Sequence, residues 1–273
     1  MIYGPMEDAL LRRINHGAYQ VKLLVDPCQV LDADGAPLDG AAATLSLGAA
    51  GSFEVAQYLD DAERSLSGQG WIVRMRRHDD EGRIRLAYKA RFGIDGDGTD
   101  PAALRRALER AGRAGFGADG CFRAARVNLS HTSATLDFSA KRRAPAPHLA
   151  PGELPGPEAS RALALDRLPD GLWQRAQSAA AGSLIHGPVR QTNHPGRVLD
   201  RAIELQVSRL RTGSDGERAW FAEITAKAGT FPEALELRAH LMGMLRAEGW
   251  LLERDAFKTD LILAHHRIHG GAR

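Results

Sequence analysis

The sequence predicts an α+β protein, an antiparallel eight-stranded β-barrel with peripheral helices. Three observations point there. Short segments alternate apolar and polar residues with period two, the mark of half-buried strands. Each half of the chain supplies about four or more such segments and then a helical stretch. Two such halves can close into one ring, which removes exposed sheet edges.

The elements follow in order. Residues 7–14 read as a short amphipathic helix packed by Leu10, Leu11 and Ile14. The segment 19–25 is the first strand, ended by Asp26-Pro27, and Asp34-Gly35 marks a tight turn. A strand at 53–59 precedes the pair 71–77 and 83–92, which flank the turn-rich residues from His78 to Gly82. Asp100 is a good N-cap for a helix over 101–112, with Pro101 at its first position. Strands at 122–129 and 134–141 close the first half.

A stretch rich in proline, alanine and glycine then leads into a helical segment carrying Leu163, Leu165, Leu168, Leu172 and Trp173. This linker and helical insertion, at about 144–181, reads as part of a single domain spanning residues 1–273. Strands return at 187–190, 201–210 and 219–227. Residues 231–248 form the clearest amphipathic helix, capped by Gly249. The segment 256–264 fits a strand or a helix.

A single domain of 273 residues buries roughly 75% of its unfolded surface and needs no covalent staples. The formal net charge is only +2, so no nucleic acid or membrane partner is expected. Cys28 and Cys121 read as buried thiols in a reducing compartment. With no membrane-length apolar run and no signal-peptide pattern at the start, the expected location is cytoplasmic. Among the ten histidines, His265, His266 and His269 read as a frayed tail, and His78, His131, His186 and His194 as turn residues without metal-ligand spacing. No phosphate-loop, nucleophile-elbow or Cys-x-x-Cys motif occurs. Lys141-Arg142-Arg143 reads as a solvated strand end.

The informative feature is where the cations stand. Arg74 and Arg76 share one strand face, as do Arg85, Lys89 and Arg91, while Ile84, Leu86, Tyr88 and Phe92 occupy the other. Lys22 alternates with Tyr19, Val21 and Leu23, and Lys227 lies in register with Glu223 and Thr225. Two placements account for this pattern. An open sheet would put the polar face in water; a barrel would put it in the lumen, where it focuses positive potential on an anion. Two like charges about 6 Å apart at an effective dielectric of about 20 repel by roughly 3 kcal/mol. Several in one lumen therefore require carboxylate partners, a metal or an anionic ligand.

The order of motifs resembles the CYTH, or triphosphate-tunnel, superfamily. It is carried by Gln57-Tyr-Leu-Asp60, Gly70-Trp-Ile-Val-Arg-Met-Arg-Arg77 and Leu86-Ala-Tyr-Lys89-Ala-Arg91. Ala222-Glu223-Ile-Thr-Ala-Lys227 and Asp255-Ala-Phe-Lys258-Thr259 continue it in the second half, so that it covers about residues 18–263. The resemblance implies a tunnel that binds a phosphate chain and possesses acidic ligands for Mg²⁺ or Mn²⁺, which would orient phosphates and activate water. It assigns Lys22, Arg74, Arg76, Lys89, Arg91, Lys227 and Lys258 to the small-molecule phosphate or other anion, Lys22 and Glu223 to catalysis, and Glu223 to the metal.

The sequence departs from that pattern on its acidic side. Where the family's first strand reads Glu-x-Glu-x-Lys, this chain has Ala18-Tyr19-Gln20-Val21-Lys22. Asn128, Gln206 and Thr225 stand where acids are expected, and Glu204 is placed out of register with Gln206, pointing outward. Neutral amides weaken a cation site strongly. The resulting expectation is a basic tunnel for a phosphate-containing polyanion, with triphosphatase-like hydrolysis over a degraded metal site. A non-catalytic anion-binding protein and a repurposed tunnel enzyme of different chemistry are the alternatives.

Overall fold

The computed structural model describes residues 18–78, 82–114, 116, 124–146, 149–150, 152–169, 182–212 and 217–269. The expected helix at 7–14, the turn at 79–81 and the continuation of the insertion through 170–181 lie outside these residues.

Nine strands form one closed barrel: β1 (Tyr19–Val25), β2 (Phe53–Asp60), β3 (Trp71–His78), β4 (Arg83–Ile94), β5 (Ala124–Leu129), β6 (Ala134–Pro145), β7 (Leu184–Val198), β8 (Arg201–Thr212) and β9 (Glu217–Ala228). Around the ring they run β1-β5-β6-β4-β3-β2-β7-β8-β9 and back to β1. This corrects the expectation of eight antiparallel strands. Antiparallel alternation cannot close a ring with an odd number of members, so one neighbouring pair must be parallel. That pair is β1 with β5, joined among the described residues by three register partners from Tyr19–Val127 to Val21–Leu129.

Seven helices accompany the described strands: α1 (Pro27–Val30), α2 (Asp39–Thr44), α3 (Ser65–Gly68), α4 (Pro101–Arg113), α5 (Pro157–Asp166), α6 (Phe231–Ala247) and α7 (Lys258–His269). Helix α4 starts as its sequence dictates, with the Asp100 carboxylate accepting from Ala102 N–H at 2.8 Å and Pro101 following. Its Leu104, Ala107, Leu108 and Ala111 are buried against β4 and β6. Helix α6 is capped by Thr230, and the Glu233 carboxylate reaches back to Gly229 N–H at 2.9 Å. Leu237, Leu241 and Leu245 are buried where α6 lies on β1 and β9.

These helices decide which way the strands face. Tyr19, Val21 and Leu23 of β1 and Ile84, Leu86 and Tyr88 of β4 belong to the large core cluster that also holds the helix leucines. The main core thus lies between the barrel wall and its outer helices. The polar face of each strand must then point into the lumen, and the open-sheet placement is excluded. The segment 256–264, left open by its periodicity, is mostly helical and starts α7 at Lys258. Cys28, expected to be buried, is exposed, because the four-residue α1 turns Val30 inward instead.

Candidate functional site

The lumen holds two adjoining cavities. The larger, about 560 Å³, opens at the end where β6 and β5 present Lys141, Arg143 and Arg126. Nine lysines and arginines line it against two carboxylates, Glu54 and Asp137. The smaller, about 80 Å³, is bounded by residues 254–259 of the C-terminal segment. Lys22, Arg74, Lys89 and Gln206 border both cavities and so stand where they meet.

Strand pairing sets this constellation. Tyr58 faces Arg74 across β2–β3, Arg91 faces Asp137 across β4–β6, and Gln206 faces Glu223 across β8–β9. Arg76 donates to Glu54 at 3.0 Å and Arg91 to Asp137 at 3.2 Å. The Arg91 guanidinium also lies 3.7 Å from the centre of the Phe257 ring, a cation–π contact. Burial lowers the pKa of Lys22, with Glu223 opposing the shift. Burial pushes Lys89 well below the ordinary lysine value, and the neighbouring charges of Arg74 and Lys22 push it further. Asp137, although buried, is held below the usual carboxylate range by Arg91, Lys89 and Lys22.

The C-terminal segment closes one end. Ile262 and Leu263 of α7 are buried in a cluster with Ala56, Tyr58, Ile72 and Val189. Tyr58 and Ile72 themselves line the small cavity, so the helix sits on lumen-facing side chains. At its start, the Lys258 ammonium donates to Gln191 Oε1 at 2.9 Å and Gln206 Oε1 at 3.0 Å, with Glu223 Oε1 at 3.9 Å. Burial lowers the Lys258 pKa, and Glu223 works against that shift.

The residues singled out in the sequence are placed as follows. Lys22, Arg74, Lys89, Arg91, Glu223 and Lys258 line the smaller cavity, and Arg76 the larger. Lys227 is opposite Gln20 in the β1–β9 ladder, exposed at the strand end, and borders neither cavity. Glu204, expected to point outward, shares a strand face with Gln206 and accepts from its amide at 3.1 Å. His186 and His194 lie within β7 rather than in turns.

Arg85, placed by the sequence on the polar face of Lys89, lines the larger cavity, but sequence reasoning missed Arg126, Lys141 and Arg143 as lumen residues. The signal was available for two of them. Lys141 and Arg143 continue the alternating face of Asp137 and Ser139. Gln191 gave no signal, since only the docking of α7 on the barrel brings Lys258 to it.

The donor set does not fit the divalent cation that the sequence resemblance implies. Glu54, Asp137 and Glu223 each face a cation. No group of three or more His, Cys, Asp or Glu side chains converges among the described residues. Hard divalent ions need several charged oxygens free of such competition.

No family profile and no curated protein matches the chain. Among solved structures, it is similar to HpAC1 from Hippeastrum, an adenylyl cyclase candidate with a dominant triphosphatase activity. The TM-score is 0.52 at 16% identity, covering 90% of this chain and 99% of that one. An adenylate cyclase candidate from Bacillus halodurans gives a TM-score of 0.48 at 12% identity, covering 90% and 97%. At such identity the likeness to HpAC1 speaks for the architecture alone, and the chain shares its fold.

Proposed function

We propose that the chain binds a phosphate-containing small polyanion in the lumen, with Lys22, Arg74, Arg76, Lys89 and Arg91 as the grips. One observation carries this reading. Lys22, Arg74 and Lys89 meet at the junction of two cavities whose larger member has nine cations and two carboxylates. Such an excess is relieved by an anion that accepts several charge-assisted hydrogen bonds at once. The triphosphatase activity described for HpAC1 makes an inorganic or organic triphosphate the first ligand to try.

Hydrolysis of a phosphoanhydride is the catalytic form of this proposal. Water would attack the terminal phosphorus, the bond to the bridging oxygen would break, and the lumen cations would stabilise charge on the transferred phosphoryl. Lys22 would hold an equatorial oxygen, and Glu223 would accept the proton of the attacking water. The non-catalytic reading is favoured by a specific observation: Glu223 already faces the Lys258 ammonium at 3.9 Å, so the carboxylate is engaged in an ion pair.

Thermal unfolding with tripolyphosphate or ATP, each with and without Mg²⁺, tests both forms. Stabilisation by tripolyphosphate is expected. No shift with any of these polyanions sinks the proposal. Phosphate release, followed in the same samples, separates an enzyme from a binding protein.

A further inference from the structure

The hydrogen bonds around Lys258 form an ordered chain. Asn193 donates its amide N–H to Ser52 Oγ at 3.0 Å, which turns its Oδ1 toward Gln191. Gln191 Nε2 donates to that oxygen at 2.7 Å, so Gln191 Oε1 faces Lys258. On the other side, Gln206 Nε2 donates to Glu204 Oε2, and Gln206 Oε1 faces the same ammonium. Both amides are thus fixed with nitrogen outward and oxygen inward. An ammonium has three protons and no acceptor, so it matches this arrangement. Two of its hydrogen bonds go to the amide oxygens, and the Glu223 carboxylate supplies the opposite charge at 3.9 Å.

Three oxygens from three adjacent strands therefore converge on one point, which is the coordination preference of a hard cation. Here that point is taken by a side chain from outside the barrel wall. The chain brings it in on α7, whose Ile262 and Leu263 anchor against Tyr58 and Ile72. Phe257, one residue before Lys258, is held over Arg91.

We propose that the Lys258 ammonium is the tunnel's resident cation: it occupies the oxygen set of Gln191, Gln206 and Glu223, so that a polyanion is bound without a divalent metal. The ligand in this statement rests on the polyanion reading above; the ammonium site does not. The cation is covalently part of the chain and cannot be removed by a chelator.

Two measurements on the full-length protein test it. In the first, Mn²⁺ alone is titrated and followed by its paramagnetic resonance spectrum. The wild-type chain is expected to leave Mn²⁺ free, whereas Lys258→Met, with the three oxygens released, binds it in a manner lost in Lys258→Met/Glu223→Gln. Mn²⁺ binding by the wild type that Mg²⁺ competes away and Glu223→Gln abolishes overturns the proposal, as does a folded Lys258→Met that leaves Mn²⁺ free. The wild-type titration stands alone if Lys258→Met does not fold.

In the second, tripolyphosphate binding is measured by calorimetry in EDTA and in Mg²⁺. Wild-type binding should persist in EDTA with no gain from Mg²⁺, which itself complexes tripolyphosphate, and Lys258→Met should lose about tenfold or more in EDTA, as expected for one charged hydrogen-bonding group. Wild-type binding that requires Mg²⁺ overturns the resident cation and leaves the polyanion reading intact. No binding in either condition removes the polyanion reading, and the Mn²⁺ titration still decides the ammonium site.

Discussion

Lys89 carries its charge where Arg74, Lys22 and Arg91 already stand, with Asp137 as the acid that opposes its shift. Like charges in a desolvated place oppose folding and favour an anion. Lys89→Met should therefore raise the stability of the ligand-free protein by on the order of 1 kcal/mol and weaken tripolyphosphate binding about tenfold. Denaturant midpoints and calorimetry read the two effects, and a loss of both stability and affinity would contradict this account. A pH dependence follows with a definite sign. The unfolded lysine has the ordinary value of 10.5 and the folded one a lower value. Between these values the unfolded chain binds more protons. The stability this group contributes is thus present above 10.5 and lost as pH falls through the folded value. A bound polyanion restores the proton, so affinity should weaken as pH rises through the same window. Calorimetry in two buffers of different ionisation enthalpy should register net proton uptake on binding.

At the scale of elements, α7 is the piece whose role strand alternation could not announce. Its short apolar run fitted a strand or a helix, and what fixes it is the lumen wall it meets. Ile262 and Leu263 are almost fully buried there. Replacing each with alanine should cost about 2–5 kcal/mol of docking. Amide exchange in residues 258–264 should speed up while β4 and β6 keep their protection; uniform loss across the barrel would show that the helix is part of one cooperative unit. The strands were far more legible. Arg83 to Phe92 alternates so regularly that its two faces could be sorted without coordinates, and the same holds for β1 and β9. The site was half legible for the same reason. Lys22, Arg74 and Lys89 follow from parity along a strand. Gln191 beside Lys258 follows only from the docking of α7 across 67 residues of chain, which local alternation does not encode.

For the whole molecule, the distribution of charge matters more than its sum. A net charge of +2 coexists with a cavity whose lining holds nine cations, because the acids lie elsewhere. With α7 at one end, the proposed anion would enter past Arg126, Lys141 and Arg143. Arg143→Glu at this rim should slow association with tripolyphosphate several-fold at low salt, with a smaller change in dissociation. Stopped-flow measurements at rising ionic strength should bring the two rates together as screening takes over. An unchanged association rate would mean that ligands enter elsewhere.

The odd number of strands has a mechanical consequence. Among the described residues, β1 is bound to β9 by seven register partners but to β5 by three. The ring is therefore a sheet with one thin seam, and the seam runs along the strand that carries Lys22. If the wall parts anywhere, it parts there with the fewest ladder bonds broken. One of the proposed phosphate grips would move with the loosened edge while its companions on β3 and β4 stayed in place. The strand that carries the proposed grip Lys22 is also the barrel's natural door.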